Sequence, residues 1–450
     1  MKKTEYPKYW DEKIETMPRE ELKKLQGKLL HKTVKQAYKS EFYRKIFKEV
    51  GVEPGDINKV EDLHKLPIIS KEDFRKSLEE CPPFGKYTCV PMEKIRHLHA
   101  TSGTTGNPTA ILITDNDINL IGERAARIFW SYGVRPEDIV QSSYTYQFFI
   151  GAWSVHWGSL KIGATIIPSG GGNTERQIIT MRNFGTTVFA ATPSYCQYVA
   201  EAAPNYGFDM KRDSKVRVII MSGEPGASIP AVLKKIEMSW GAKGFDCPGS
   251  SEAVLWSGTC QEQVGCHVAE DQFILEVLDL ETKKPVGSGQ QGVAVLTTLG
   301  IEGQPLIRWR TDDLTSYTDE SCPCGRTHLL LPHGLMGRVD HMMKVSGIRI
   351  WPTAIESTLR SIAGVGEEFR IVIDDSNVSE TGLAYVLKKL KLKVEKTPSI
   401  TDDKALAQNI TTHFKATFNL NPEVEIVPPE TFKRFEFKAL RIVDERMKKA

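Results

Sequence analysis

Residues 97–109 read His97-Leu98-His99-Ala100-Thr101-Ser102-Gly103-Thr104-Thr105-Gly106-Asn107-Pro108-Thr109, and the pattern that follows them decides the fold. Glycines and hydroxyl residues fill all of positions 101–106. Glycine permits the left-handed, close-approach backbone that lets consecutive amides converge on an anion, and hydroxyls add donors. The Gly-Lys-Ser/Thr ending of the common P-loop is absent, so on these residues alone a plain Ser/Thr/Gly turn competes with a phosphate loop. Downstream, to about residue 220, short apolar runs at 111–113, 139–140, 164–167, 187–190 and 216–221 alternate with helical stretches. Most of the runs end in Gly, Ser, Thr or Pro before the next helical segment. That alternation predicts α/β layers around a largely parallel sheet.

Upstream, residues 21–50 carry Leu22, Leu25 and Leu29, then Leu30, Val34 and Ala37, at the spacing of amphipathic helices. Beyond the alternating region, 273–278, 292–299 and 306–309 read as strands between glycine-containing turns, a small β-barrel or β-sheet subdomain. A turn-rich stretch with Pro332, Gly334 and Gly337 leads to a domain boundary at Arg338 to Asp340. After it come a strand at 342–345, a helix from Thr353, strands at 369–373 and 382–387, and a helix over 403–417. The expected fold is therefore α/β. A large N-terminal domain (1–338) of layered α/β sheets carries a small β subdomain, and a small, mobile α+β C-terminal domain spans 339–450.

Composition narrows the function. A chain of 450 residues exceeds what one hydrophobic core serves, which agrees with two domains. The formal net charge of +2 provides no global pull toward nucleic acid or anionic membrane, so any polyanion must be bound by a local site. No apolar run approaches the roughly 20 residues that cross a bilayer. The charged first 28 residues lack the apolar core of a secretory signal, so the expected compartment is the cytoplasm, with the cysteines reduced.

Clustered cysteines then suggest a metal. Cys260 with His267, and Cys322-Pro323-Cys324, make a Cys₃His set for one structural Zn²⁺ tying the β subdomain together. Reduced buried thiols, or a set in which Cys266 or His328 substitutes, are the alternatives. A zinc-dependent nucleic-acid module is a rival of another class, opposed by the low net charge and the lack of interleaved aromatic and basic residues.

The order of residues in 97–109 resembles the signature loop of the adenylate-forming superfamily, which includes acyl-CoA synthetases and nonribosomal adenylation domains. The remainder of the chain is similar to the phenylacetate–CoA ligase branch. Its motifs here are Gly170-Gly171-Gly172-Asn173-Thr174-Glu175-Arg176-Gln177, Ala191-Thr192-Pro193-Ser194-Tyr195, Ser222-Gly223-Glu224-Pro225, Gly249-Ser250-Ser251-Glu252, Arg308-Trp309-Arg310-Thr311-Asp312-Asp313, Gly337-Arg338-Val339-Asp340 and Phe437-Lys438-Ala439-Leu440-Arg441.

The resemblance implies an AMP-forming carboxylate–CoA ligase: acid, ATP and CoA become acyl-CoA, AMP and pyrophosphate through an acyl-adenylate. A carrier-protein thiol or a cofactor hydroxyl is the alternative acceptor, and the lack of a following carrier domain favours free CoA. By the same likeness Thr101, Ser102, Gly103, Thr104, Thr105 and Gly106 hold the ATP phosphates, and Ser222, Gly223, Glu224 and Pro225 lie against the adenine. Asp246, Cys247, Pro248, Gly249, Ser250 and Ser251 complete the nucleotide site, and Glu252 holds Mg²⁺, a hard cation suited to a carboxylate. Asp313 accepts from the ribose hydroxyls, beside Arg338. Lys438, with Lys433 as fallback, places positive charge between the substrate carboxylate and the α-phosphate.

Asp340 is the hinge about which the C-terminal domain swings, bringing Lys344 and Gly347 to CoA. A surface ion pair is the plainer reading of Arg338 and Asp340. Tyr144, Tyr146, Gln147, Phe149, Gly151, Trp153 and Pro193 line the acyl site, and a homodimer is expected by analogy. Three departures stand out. Asn107 replaces a lysine of the branch, and Pro248 replaces an aromatic residue. Gln147 and Trp153 stand where smaller residues are usual, which predicts a shrunken pocket with a buried amide. The expected acid is therefore aryl or small and hydroxylated.

Overall fold

The computed structural model describes residues 5–100, 109–378, 385–432 and 441–446. At its centre the strands Thr165–Ile167, Ile139–Ser142, Val188–Ala191, Val218–Met221 and Lys243–Asp246 lie side by side in that order, all parallel. Strand side chains alternate between faces, and the two cores divide accordingly. Val188, Ala190, Val218 and Ile220 pack toward the helices Asp115–Ser131 and Ile150–Ile162. Phe189, Ala191, Ile219 and Met221 pack toward Thr174–Phe184, Pro193–Ala202 and Pro230–Trp240. Helices on both faces explain why these strands read as continuous apolar runs.

The apolar run at 111–113 departs from expectation. It belongs to the strand Ala110–Thr114, which leaves the parallel sheet and pairs antiparallel with Ile95–Ala100. The two strands flank residues 101–108 in sequence.

A four-stranded antiparallel sheet follows, in the order Phe273–Leu278, Gln291–Thr298, Trp309–Ser316, Gly337–Arg338. Its third strand begins at Trp309, because Arg308 takes a left-handed conformation with φ 47° that ends the preceding segment. The N-terminal helices Arg19–Ala37 and Glu41–Glu49 cover this sheet, with Leu30, Val34 and Phe47 sharing a core with Leu296 and Trp309.

A separate core draws its buried members only from residues after 342, among them Met343, Ile355, Phe369, Leu392 and Ile410. It is built by the hairpin Met343–Val345/Ile348–Ile350, the helices Pro352–Arg360 and Asp403–Phe418, and a sheet ordered Glu423–Val427, Lys391–Lys396, Val365–Ile373, Ile442–Asp444. The strand expected at 382–387 is seen as Val386–Leu387, and residues 379–384 lie outside the described residues. Among the described residues no helix is long and apolar enough to cross a membrane.

Candidate active site

In an open parallel sheet ligands bind beyond the carboxyl ends of the strands, where the strand order reverses. Here the reversal falls between Ile139–Ser142 and Val188–Ala191. The chain after Ser142 carries Tyr144 and Tyr146, and the chain after Ala191 carries Thr192 and Pro193. Tyr144 knits the crevice: its hydroxyl donates to the Ala191 carbonyl at 2.6 Å and lies 3.4 Å from that of Ser222. Thr192 caps the helix Pro193–Ala202, accepting from the Tyr195 amide. The Glu224 carboxylate takes the Ser194 amide at 3.1 Å and hydroxyl at 2.9 Å, a favourable place for negative charge at a helix start. Gly226 lets these loops close, since a Cβ there would sit 2.8 Å from that of Pro193.

Beyond the fifth strand, Gly249–Ser250 and Val254–Leu255 form a small antiparallel pair with Glu252 in its turn. A Cβ on Gly249 would lie 2.6 Å from the Val254 carbonyl oxygen, so the tight return requires glycine. Glu252 is paired with Lys71, Nζ to Oε1 3.4 Å, a partner remote in sequence that no local motif announces. Asp246 and Cys247, expected at the nucleotide, turn their side chains inward. Asp246 accepts from the Ser228 hydroxyl, and burial pushes its carboxyl up to about 7. The Cys247 thiol packs in the core with Phe245, and burial pushes it up to about 12. Pro248 is buried as well, leaving 249–252 as the accessible part of this motif.

Asp313 is also buried, and burial raises its carboxyl to about 7 against the opposing pull of Arg338. Arg338 reaches Asp313 at 3.4 Å and spans both oxygens of Asp340 at 2.9 Å each. Lys344 is exposed on the strand Met343–Val345 and Gly347 in the hairpin turn that follows it, where Ser346 and Gly347 both have positive φ. From that hairpin Arg349 reaches Glu281, in the turn after the strand Phe273–Leu278, at 2.6 Å on the surface. A second contact between the cores joins Lys235 to Glu367. Thr101 to Gly106, Asn107, Lys433 and Lys438 lie outside the described residues. Further along the chain, half-buried Arg441 pairs with Glu356 at 2.8 Å and Glu368 at 2.9 Å.

Among the expected acyl-site residues, Trp153 donates its indole N–H to the Tyr146 carbonyl at 2.8 Å, with the two rings edge to face at 5.4 Å. Gln147 corrects an expectation: it is exposed rather than a buried amide, because it lies in the loop ahead of the helix Ile150–Ile162, beside exposed Phe148 and Phe149. Gly151 is exposed too. His97, His99, His156 and Trp157, to which no motif gives a role, gather their rings around Trp153. Their i, i+2 spacing on a strand and i, i+3, i+4 spacing on a helix was the available signal.

Away from this crevice Cys260, His267, Cys322 and Cys324 are all buried, and their ligand atoms lie within 4.8 Å of one another. The Cys260 and Cys322 sulfurs are 3.7 Å apart, and Cys324 Sγ is 3.4 Å from His267 Nε2. Tetrahedral zinc, with bonds of about 2.3 Å to sulfur and 2.0 Å to nitrogen, sets such pairs about 3.8 and 3.5 Å apart. His267 Nδ1 faces the His328 carbonyl at 3.4 Å, the outer contact expected of a metal-binding imidazole. The alternative ligands are engaged elsewhere: Cys266 points to Asp246, and the His328 ring lies between the Val268 and Ile14 carbonyls.

Residues 43–300 match the AMP-binding enzyme family and 347–446 match the AMP-binding enzyme C-terminal domain. The phenylacetate-coenzyme A ligase of Thermus thermophilus is 33% identical over 443 residues, covering 96% of this chain and 98% of that protein. A crystal structure of 2-hydroxyisobutyryl-CoA ligase in the postadenylation state, with R3-HIB-AMP, is 32% identical and has a TM-score of 0.91, covering 98% of this chain and 93% of that one. The same ligase in its thioesterification state, with 2-HIB-AMP and CoA, has a TM-score of 0.73, covering 99% of this chain and 96% of that one. Since the likeness runs the whole length of both cores, the chain belongs to the AMP-binding enzyme family, on the branch of the phenylacetate–coenzyme A ligases.

Proposed function

We propose that this protein joins a small carboxylic acid to coenzyme A in two half-reactions. A carboxylate oxygen attacks the α-phosphorus of ATP and pyrophosphate leaves. The CoA thiolate then attacks the carbonyl carbon of the acyl-adenylate and AMP leaves. The observation that carries this reading is the full-length likeness to a CoA ligase solved with an acyl-adenylate, greater for its postadenylation state than for its thioesterification state, 0.91 against 0.73. It supports an arrangement of the two cores like the one that ligase has in its postadenylation state, ahead of the thioester step.

Two anions must meet in that step, so charge neutralisation and alignment dominate the catalysis. Residues 101–106 would hold the phosphates, and the loops at Ser222 to Pro225 and Gly249 to Ser251 would hold the base. Asp313 would take the ribose hydroxyls, and Lys438 would sit between the reacting oxygens. Glu252 is a carboxylate at an accessible turn, already facing a cation in Lys71, and so fits Mg²⁺; that ion would supply charge against the α and β oxygens. For the second half-reaction residues 339–450 would turn about Asp340 as a mobile domain against 1–338. Arg338–Asp340, Lys235–Glu367 and Arg349–Glu281 would have to yield for Lys344 and Gly347 to reach CoA.

Cys260, His267, Cys322 and Cys324 would hold a structural Zn²⁺ with no open position, which contributes folding free energy rather than chemistry. The test of the main reading is acid-dependent ATP–pyrophosphate exchange, followed by AMP release on adding CoA. Exchange without any CoA-dependent product would point to another acceptor, and no exchange with any acid would overturn the reading.

A further inference from the structure

His99 lies two residues before Thr101, on the strand Ile95–Ala100. His99 is 2% exposed, and neither Nδ1 nor Nε2 closes a hydrogen bond among the described residues, the Phe148 backbone being near enough only to oppose part of the effect of burial. Buried polar atoms in native proteins nearly always have partners, so an imidazole in this state points to one that a ligand supplies. Its surroundings identify where that ligand would sit. Strand alternation puts His97 and His99 on one face, with ring centroids 5.6 Å apart. The helix Ile150–Ile162 presents Trp153 and Trp157 to the same ring at 6.3 and 6.2 Å. Trp153 is in turn bonded to Tyr146, and the Ala100 amide donates to the Phe148 carbonyl at 3.2 Å. The histidine is therefore tied on one side to the acyl-site loop and runs on the other into the phosphate segment.

We propose that His99 is a specificity residue that reads a hydroxyl group on the acid, so that the substrate class is the small hydroxylated carboxylic acids. The proposal rests on the ligase reading and deepens it. A neutral imidazole offers one donor and one acceptor, and so does a hydroxyl; a carboxylate only accepts, and a methyl group does neither. Burial keeps the ring neutral, pushing its pKa down to about 4, so a second carboxylate would find no cation there.

The experiment is ATP–pyrophosphate exchange with two acid pairs that differ by one hydroxyl: 2-hydroxyisobutyrate with isobutyrate, and 3-hydroxybutyrate with butyrate. Wild-type enzyme should favour the hydroxylated member of at least one pair. His99→Leu should lower kcat/KM for that member by roughly 100-fold while its unsubstituted partner changes by less than about fivefold, since a site built around a substrate hydroxyl discriminates by its unpaired polar groups. His99→Gln, which keeps a donor and an acceptor, should recover much of the loss, and KM for ATP should stay level in both variants. Equal losses for both members would assign the ring to the nucleotide or the fold and overturn the proposal. So would a wild-type preference for the unsubstituted acids, which needs no variant to detect. If no acid supports exchange in wild type, the ligase reading itself fails and the proposal falls with it.

Discussion

Arg338 and Asp313 face each other across paired antiparallel strands, with the guanidinium Nη1 3.4 Å from the carboxylate Oδ1. The same guanidinium spans Asp340, so one cation links the proposed ribose carboxylate to the proposed hinge. Burial holds the Asp313 carboxyl up at about 7, and the charge of Arg338, ahead of a hydrogen bond from Thr311, pulls it back down. A carboxyl with a raised pKa is protonated below that value, so the ionised acceptor is lost as pH falls through about 7. The acid limb of kcat/KM for ATP should therefore lie near neutrality. Arg338→Gln should move it to higher pH, and Asp313→Asn should flatten it at a much lower rate. A profile unchanged in Arg338→Gln would separate Arg338 from the titration.

Lys438→Ala should abolish adenylation yet leave thioester formation from preformed acyl-adenylate largely intact, because only the first half-reaction brings two anions together at that charge. Single-turnover assays of each half-reaction check this. Equal losses in both would remove Lys438 from the role and turn attention to Lys433.

Purified protein should contain about one zinc per chain. Cys322→Ser should lower the melting temperature more than it alters the kinetics of the folded fraction, since a closed four-ligand site stabilises the fold without touching substrate. Metal analysis beside thermal melts decides it, and a metal-free preparation with full activity and stability would count against the site.

Trp153→Ala should enlarge the acyl site and shift preference toward aryl acids such as phenylacetate and benzoate. Methylene-scale changes in an apolar pocket are worth about 1–3 kcal/mol, so the ratio of kcat/KM values should move roughly 10- to 200-fold. The indole also braces Tyr146, so some loss with every acid is expected on top of the change in ranking. An unchanged ranking would place Trp153 outside the pocket.

How far the sequence reached can be read from particular residues. The alternation of apolar runs with helical stretches located four of the five strands of the parallel sheet, because period and turn chemistry are properties of neighbouring residues; the fifth, Lys243–Asp246, is too polar to announce itself. The pairs Cys260/His267 and Cys322/Cys324 were likewise visible as candidate ligands. Which strands become neighbours is a different kind of fact: the run at 111–113 had the apolar character of its fellows and joined another sheet. Gln147 looked like a pocket amide by its place in a motif, and the path of its loop leaves it exposed.

Lys71 on Glu252, Arg441 between Glu356 and Glu368, and the ring of His99, buried without a hydrogen bond among the described residues, needed the folded chain. By itself the sequence determined the elements, their order and the residue types available for chemistry, since these follow from local periodicity and side-chain character. Tertiary structure alone decided which charges meet and which polar atoms are buried without a partner. Both depend on which apolar faces are buried together, and that free energy belongs to the whole packed core rather than to any one segment.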